Sequence, residues 1–308
     1  MLYHMLLSSG GFAVYMTESK VFDLVFPRVG DLTTLKSRRK ALDVWLNSKL
    51  FSLSGLERRH IEEKILARCQ NRGDFLRIVM EEIAGQQRVE RWADNTPEHI
   101  LYLATIKKEI PEAKVIHILR DGRDVALSLR KKQWIHPLPW DMKRQLLVAG
   151  LYWEWLVLKG RCFGREVGSD YMELHYEDLL SRPTEQLARI GAFIDHDLDP
   201  VRIRQRAIGS VSDPNTSFRE EFDSDSTFDP VGRWQRSLSR NEIAALESLI
   251  GGTLSSLGYE LASRDAAAHG CSQSLMRATY RGFWGSKLWL KTKTPLARVF
   301  ANGNPKSL

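Results

Sequence analysis

Nowhere in the 308 residues does the chain run apolar for the roughly 18 positions that a membrane-spanning helix needs. Cysteine is scarce. Cys69, Cys162 and Cys271 lie far apart, so neither a disulfide framework nor a zinc site can be read from their spacing, and they are expected to be ordinary reduced thiols. Acidic residues are missing altogether from 266 to 308, a stretch that holds Arg277, Arg281, Lys287, Lys291, Lys293, Arg298 and Lys306. Those seven charges equal the whole formal excess of +7, which leaves residues 1–265 close to neutral. The basic character therefore belongs to a tail, and it argues against a nucleic-acid partner for the core. The opening MLYHMLLSSGG has neither the basic flank nor the cleavage site of a signal peptide. A cytoplasmic protein is expected, at most peripheral to a membrane. The same stretch reads as a short amphipathic helix closed by Gly10-Gly11, with no N-cap before it, so the chain reads as beginning in mid-element. A Walker A loop is absent too.

What is present is an alternation of strand and helix. Segments 58–70, 73–83, 97–109, 124–132, 143–159, 183–194 and 240–257 have helical patterning. Short strands are expected at 88–92, 114–119 and 171–176. The run KVIHIL at 114–119 is near-continuously apolar, as for a strand buried on both faces of a parallel sheet. An α/β fold with a parallel sheet follows, organised as a domain over 1–265 and a basic aromatic tail over 266–308. Ligands of such sheets sit beyond the carboxyl ends of the strands.

One of those ends carries HILRDGRDVALSLRKK, residues 117–132. A strand that enters a helix through Asp-Gly presents backbone N–H groups and a helix dipole to an anion. Arg120 would add a bidentate donor and Ser128 a hydroxyl, both suited to phosphate. The competing reading is a solvated cluster of Arg120, Asp121, Arg123 and Asp124 around a turn. His117 and His175 fall within strands and read as satisfied core residues.

The segment HILRDGRDVALSL resembles the 3′-phosphate-binding segment of sulfotransferases that use 3′-phosphoadenosine 5′-phosphosulfate (PAPS). In that family an arginine at a strand end and a serine eight residues later hold the 3′-phosphate, as Arg120 and Ser128 are spaced. HYEDLLSRPTEQLARIGAFI resembles the family's strand end and following helix, which points Tyr176 toward the adenine. PNTSFRE resembles a nucleotide-contacting loop, with Thr216 and Phe218. VGRWQRSLSRNEIAALESLIGGTLSSLGYEL resembles the C-terminal Gly-Arg-Trp segment and closing helix. The four segments keep their order across residues 1–261. The resemblance implies a P-loop-type three-layer fold with a central parallel sheet flanked by helices. It also implies PAPS as co-substrate without a metal, and a hydroxyl or amine acceptor on a carbohydrate, lipid or small molecule.

Two departures accompany it. The family's Arg-Ser-Gly-Thr-Thr loop, which cradles the 5′-phosphosulfate, is not found. MLYHMLLSSGGFAVYMTES resembles the helix and loop that follow it, so the first strand and phosphate loop are expected to precede Met1. The Arg-Lys-Gly that also grips the 3′-phosphate is replaced near Thr227-Phe228-Asp229, and Arg233 or Arg236 is the candidate substitute. For the catalytic base, YMTESKVF places Glu18 where the protein-tyrosine branch has its glutamate. The structural alternative is a loop carboxylate paired with Lys20. In the cytosolic branch a histidine serves in a Lys-Thr-His context. DNTPEH has Asn95 in place of that lysine, so His99 reads as a surface or packing residue. The rival functions are a P-loop kinase-like phosphotransferase and an inactive membrane-associated nucleotide-binding protein. Residues 274–300 of the tail interleave basic and aromatic side chains, suited to an anionic membrane, to packing on the domain, or to disorder. The acceptor pocket is expected from loops 28–60 and 133–142, which carry no recognition pattern.

Overall fold

The computed structural model describes residues 1–211, 230–262 and 271–294. They fall into two compact units. One takes described residues 1–114, 182–211 and 288–294, the other 115–181, 230–262 and 271–287.

The first unit is helical. Thr34, Glu57 and Asn71 stand immediately before helices Leu35–Leu46, Arg58–Arg68 and Arg72–Gln86. Each accepts a first-turn N–H, satisfying donors the helix itself cannot. The faces so fixed bury Trp45, Ile61, Ile65, Phe75 and Met80 in one core with Phe22 and Phe26. Phe75 meets both Phe26 and Trp45 edge-on, with ring centroids 5.8 Å apart in each pair.

Two expectations need correction here. The N-terminal helix, Leu2–Ser9, is not amphipathic, because seven of its eight residues are buried; it packs on helix Pro200–Arg206. Gly10 and Gly11 do follow it in the positive-φ region (87° and 78°). Residues 88–92 do not form a strand. Arg88 lies at φ 56°, which breaks the extension, and only an isolated bridge joins Phe12 to Arg91. The Arg91 guanidinium is drawn instead to the carbonyls of Ile194 and Asp195.

The second unit holds the parallel pair β1, Val115–Leu119, and β2, Tyr171–His175, in a register that sets Val115 against Tyr171 and Leu119 against His175. Their crossover contains helices Gly122–Lys132 and Gln145–Val167, and helix Arg240–Ser256 packs on the latter. A capping box between Ser239 and Glu242 starts that last helix. The α/β reading with a parallel sheet stands. β1 is nevertheless not buried on both faces, since Ile118 is exposed; among the described residues its sheet has two strands.

Helix Cys271–Lys293 lies within the expected tail. Its buried stripe is Met276, Tyr280 and Trp284. Trp284 packs against Tyr152 and Trp155 with centroids 5.2 and 5.8 Å away. No helix among the described residues is long and apolar enough to cross a membrane.

Candidate anion site at the end of β1

The four charges of Arg120-Asp121-Gly122-Arg123-Asp124 have separate tasks. Asp121, Arg123 and Asp124 are buried, which removes the solvated-cluster reading for those three. Asp121 is the N-cap of helix Gly122–Lys132 and accepts the Arg123 N–H at 2.9 Å. Its own N–H donates to Glu177 Oε1 at 3.0 Å. Two backbone donors of this turn, the Asp121 and Arg123 N–H groups, are thus already engaged by carboxylates.

Arg123 is a structural tie. Its guanidinium bonds both Asp121 oxygens, Glu247 Oε1 at 2.5 Å and the Glu260 carbonyl at 2.9 Å, and lies 3.7 Å over the Trp234 ring. Asp124 holds a different segment: its two oxygens accept the N–H groups of Gly232 (2.8 Å) and Trp234 (2.9 Å). Burial raises the Asp124 pKa, while the two backbone donors and the Arg120 charge oppose the shift.

Arg233 lies between those two N–H groups and is buried, whereas Arg236 on the same short helix is exposed. Burial lowers the Arg233 pKa, and the Arg120 charge lowers it further. Two guanidiniums therefore repel one another at the end of β1, with Asp124 as a partial counter-charge. Arg120 donates through Nη2 to the Pro230 carbonyl at 2.5 Å and stacks 4.7 Å from the centre of the Tyr176 ring. Its Nε, and the Ser128 Oγ one helical turn and a half along, are buried with no hydrogen-bond partner among the described residues. Arg120, Tyr176 and Arg233 are brought together, and Ser128 lies midway along the helix that follows, its hydroxyl buried.

Close packing fixes the turn. A Cβ on Gly122 would stand 2.5 Å from Trp153 Cε3, and Trp153 Nε1 donates to the Arg120 carbonyl at 3.1 Å. Asp124, Arg123 and Glu177 were missed by sequence reasoning. For Arg123 and Asp124 the one signal was a repeated Arg-Asp at three-residue spacing, and their long-range partners lie more than 100 residues away, while Glu177 meets Asp121 across 56 positions and Tyr259 across 82.

Thr216 and Phe218 lie outside the described residues, as do 227–229. In the first unit Glu18 is ion-paired with Lys20 at 2.6 Å, and Lys20 also approaches Glu98 at 3.7 Å. His99 is buried rather than on the surface. Its Nδ1 lies 2.6 Å from Asp94 Oδ2 and its Nε2 accepts the Phe22 N–H at 3.3 Å, so both ring nitrogens are committed. Burial works against the Asp94 carboxylate, yet His99, Thr96 and Ser19 together hold its pKa below the usual range. Among the described residues no cluster of His, Cys, Asp and Glu could hold a metal ion.

Solved structures that this chain resembles include the sulfotransferase domain from the Synechococcus PCC 7002 olefin synthase, 18% identical with a TM-score of 0.48 over 84% of this chain and 90% of that one. They also include the sulfotransferase domain from the curacin biosynthetic pathway, 15% identical with a TM-score of 0.48 over 84% of this chain and 93% of that one. The model of the sulfotransferase family matches residues 14–200, well over half of the chain. The chain belongs to the sulfotransferase family.

Proposed function

We propose that the protein transfers a sulfuryl group from PAPS to a hydroxyl or amine of a carbohydrate, lipid or small-molecule acceptor, and that the site at the end of β1 holds the 3′-phosphate of the nucleotide. The observation that carries this reading is that Arg120 Nε, on a guanidinium whose charge acts on Arg233, and Ser128 Oγ on the following helix are both buried without hydrogen-bond partners among the described residues. Buried polar atoms are normally satisfied, and a phosphate would satisfy these while neutralising the repulsion. Bound here, PAPS would supply an activated sulfuryl group for transfer to the acceptor oxygen or nitrogen, with 3′-phosphoadenosine 5′-phosphate as the leaving group. Arg120 and Arg233 bind and orient, Ser128 donates one hydroxyl, and the Tyr176 ring, already against Arg120, offers a face for the adenine. Thr216 and Phe218 would complete the nucleotide loop. Glu18 is the proposed acceptor of the proton.

Titration of the full chain with 3′-phosphoadenosine 5′-phosphate and with adenosine 5′-phosphate tests the assignment. The first should bind more tightly. Arg120→Ala should cost it about 2–4 kcal/mol, as for a truncated charge-assisted contact, and leave adenosine 5′-phosphate little changed. Equal affinity of the unaltered protein for both nucleotides would refute the site. Glu18→Gln should leave nucleotide affinity intact while slowing transfer by about 100-fold or more.

A further inference from the structure

The second unit carries an exposed apolar surface ringed by cations, and it includes part of the loop 133–142 from which the acceptor pocket is expected. In the loop after helix Gly122–Lys132, Trp134 and Trp140 have 71% and 72% of their surface exposed, and Met142 54%. This loop is anchored. The Leu138 N–H donates to Tyr280 Oη at 3.0 Å, and that hydroxyl donates to Asp141 Oδ2 at 3.1 Å. The tryptophans are thereby fixed beside helix Cys271–Lys293. That helix buries Met276, Tyr280 and Trp284 and shows solvent an opposite face of Leu275, Ala278, Thr279, Gly282 and Phe283.

The exposed charges of the two segments are of one sign. Lys131, Lys132, Lys143, Arg144 and Arg281 are exposed around the apolar groups. The single carboxylate between Asp124 and Glu154 is Asp141, which is buried and turned toward Tyr280 and Arg144. From 266 to 308 there is none. Solvent-exposed tryptophans are costly in water and favoured at the headgroup level of a bilayer, where indole is both apolar and a donor. Lysines and arginines around them suit anionic headgroups. Between the aromatic groups the helix presents the small residues Ala278, Thr279 and Gly282, a surface matched to a lipid plane.

We propose that this face, Trp134, Trp140, Met142, Leu275 and Phe283 with their surrounding cations, docks the protein peripherally on an anionic membrane. Removing the tail is a poor test, because it would uncover the surface against which Tyr280 and Trp284 pack. Point variants of the full chain should instead be co-sedimented with vesicles of phosphatidylcholine alone and of phosphatidylcholine with phosphatidylserine. The unaltered protein should bind the second and not the first. The double variant Trp134→Ser, Trp140→Ser should bind at least tenfold more weakly, and Lys143→Gln and Arg281→Gln about fivefold more weakly each. Because every altered side chain is exposed, thermal unfolding midpoints should stay put; the charge variants decide the matter if the tryptophan variant does not fold. Absence of binding to phosphatidylserine vesicles, equal binding to both compositions, or variants that bind like the parent would overturn the proposal. So would a concentration-dependent dimer abolished by the same tryptophan changes, which would assign the face to a second copy of the chain.

Discussion

Asp124 accepts the backbone N–H of Trp234 at 2.9 Å across 110 positions of sequence. With the Gly232 N–H on its other oxygen, a carboxylate of the strand-end motif positions the segment that carries Arg233. Asp124→Ala leaves two part-buried or buried backbone donors unmet, and the expected loss is about 2–4 kcal/mol in urea unfolding. Asp124→Asn, which keeps one acceptor, should lose roughly half of that. Both should weaken binding of 3′-phosphoadenosine 5′-phosphate by displacing Arg233. A Asp124→Ala protein with unchanged stability and affinity would show that the segment is held by other means.

Arg123 and Glu247 form a buried ion pair at 2.5 Å, with Asp121 on the other side of the guanidinium. Glu247→Leu strands part of that charge, and about 3–5 kcal/mol of stability should go. Arg123→Met with Glu247→Leu should cost clearly less than the sum of the single changes, because each single variant leaves a buried charge behind. Chemical denaturation of the four proteins of the cycle reads the coupling directly. Additive losses would mean that the two side chains do not act as a unit.

Local pattern made much of this architecture legible. Strand 171–175 and helices 183–194 and 240–256 follow from periodicity and caps that the chain carries within a few residues of each element. Arg120 and Ser128 could be singled out because a strand-to-helix junction is itself local. What could not be read is long-range. Asp124 looked like one more surface charge until Gly232 and Trp234 came to it. His99 read as a surface or packing residue and is the latter, and what its pattern did not show is that Asp94 and the Phe22 N–H claim both nitrogens. Segment 88–92 alternates charges around a single valine, and neither its left-handed Arg88 nor the pull of the Ile194 carbonyl on Arg91 is written in that pattern. The aromatic stripe of helix Cys271–Lys293 was visible in sequence, but the Tyr152–Trp155 surface that receives it was not.

Gly122 sits where the motif helix touches Trp153. Alanine there must push the indole away, with an expected cost of about 1–3 kcal/mol from overpacking. The indole N–H also tethers the Arg120 carbonyl, so nucleotide affinity should fall along with the unfolding midpoint. Trp153→Phe relieves the clash in the double variant and should restore part of the stability but not the tether. If Gly122→Ala melts like the parent, the close approach is not a constraint.

His117 sits buried in β1, and its Nδ1 lies 2.6 Å from Tyr171 Oη. The phenol hydrogen goes on to Glu173 Oε1 at 3.2 Å, so Nδ1 is the donor in the first link. Burial pushes the imidazole pKa down to about 4 from an ordinary value near 6.5. The folded protein therefore binds this proton less readily than the unfolded chain does. The stability that follows is complete above pH ~6.5 and is lost as pH falls through ~4, amounting to about 3 kcal/mol. Urea unfolding of the parent and of His117→Gln at pH 7, 5 and 4 isolates the term, since other groups titrate alike in both proteins and glutamine keeps a donor for Tyr171. The parent should lose about 3 kcal/mol more than the variant between the first pH and the last. Parallel losses would mean that His117 takes up its proton in the folded state as easily as in water, and that burial in β1 does not exclude the charge.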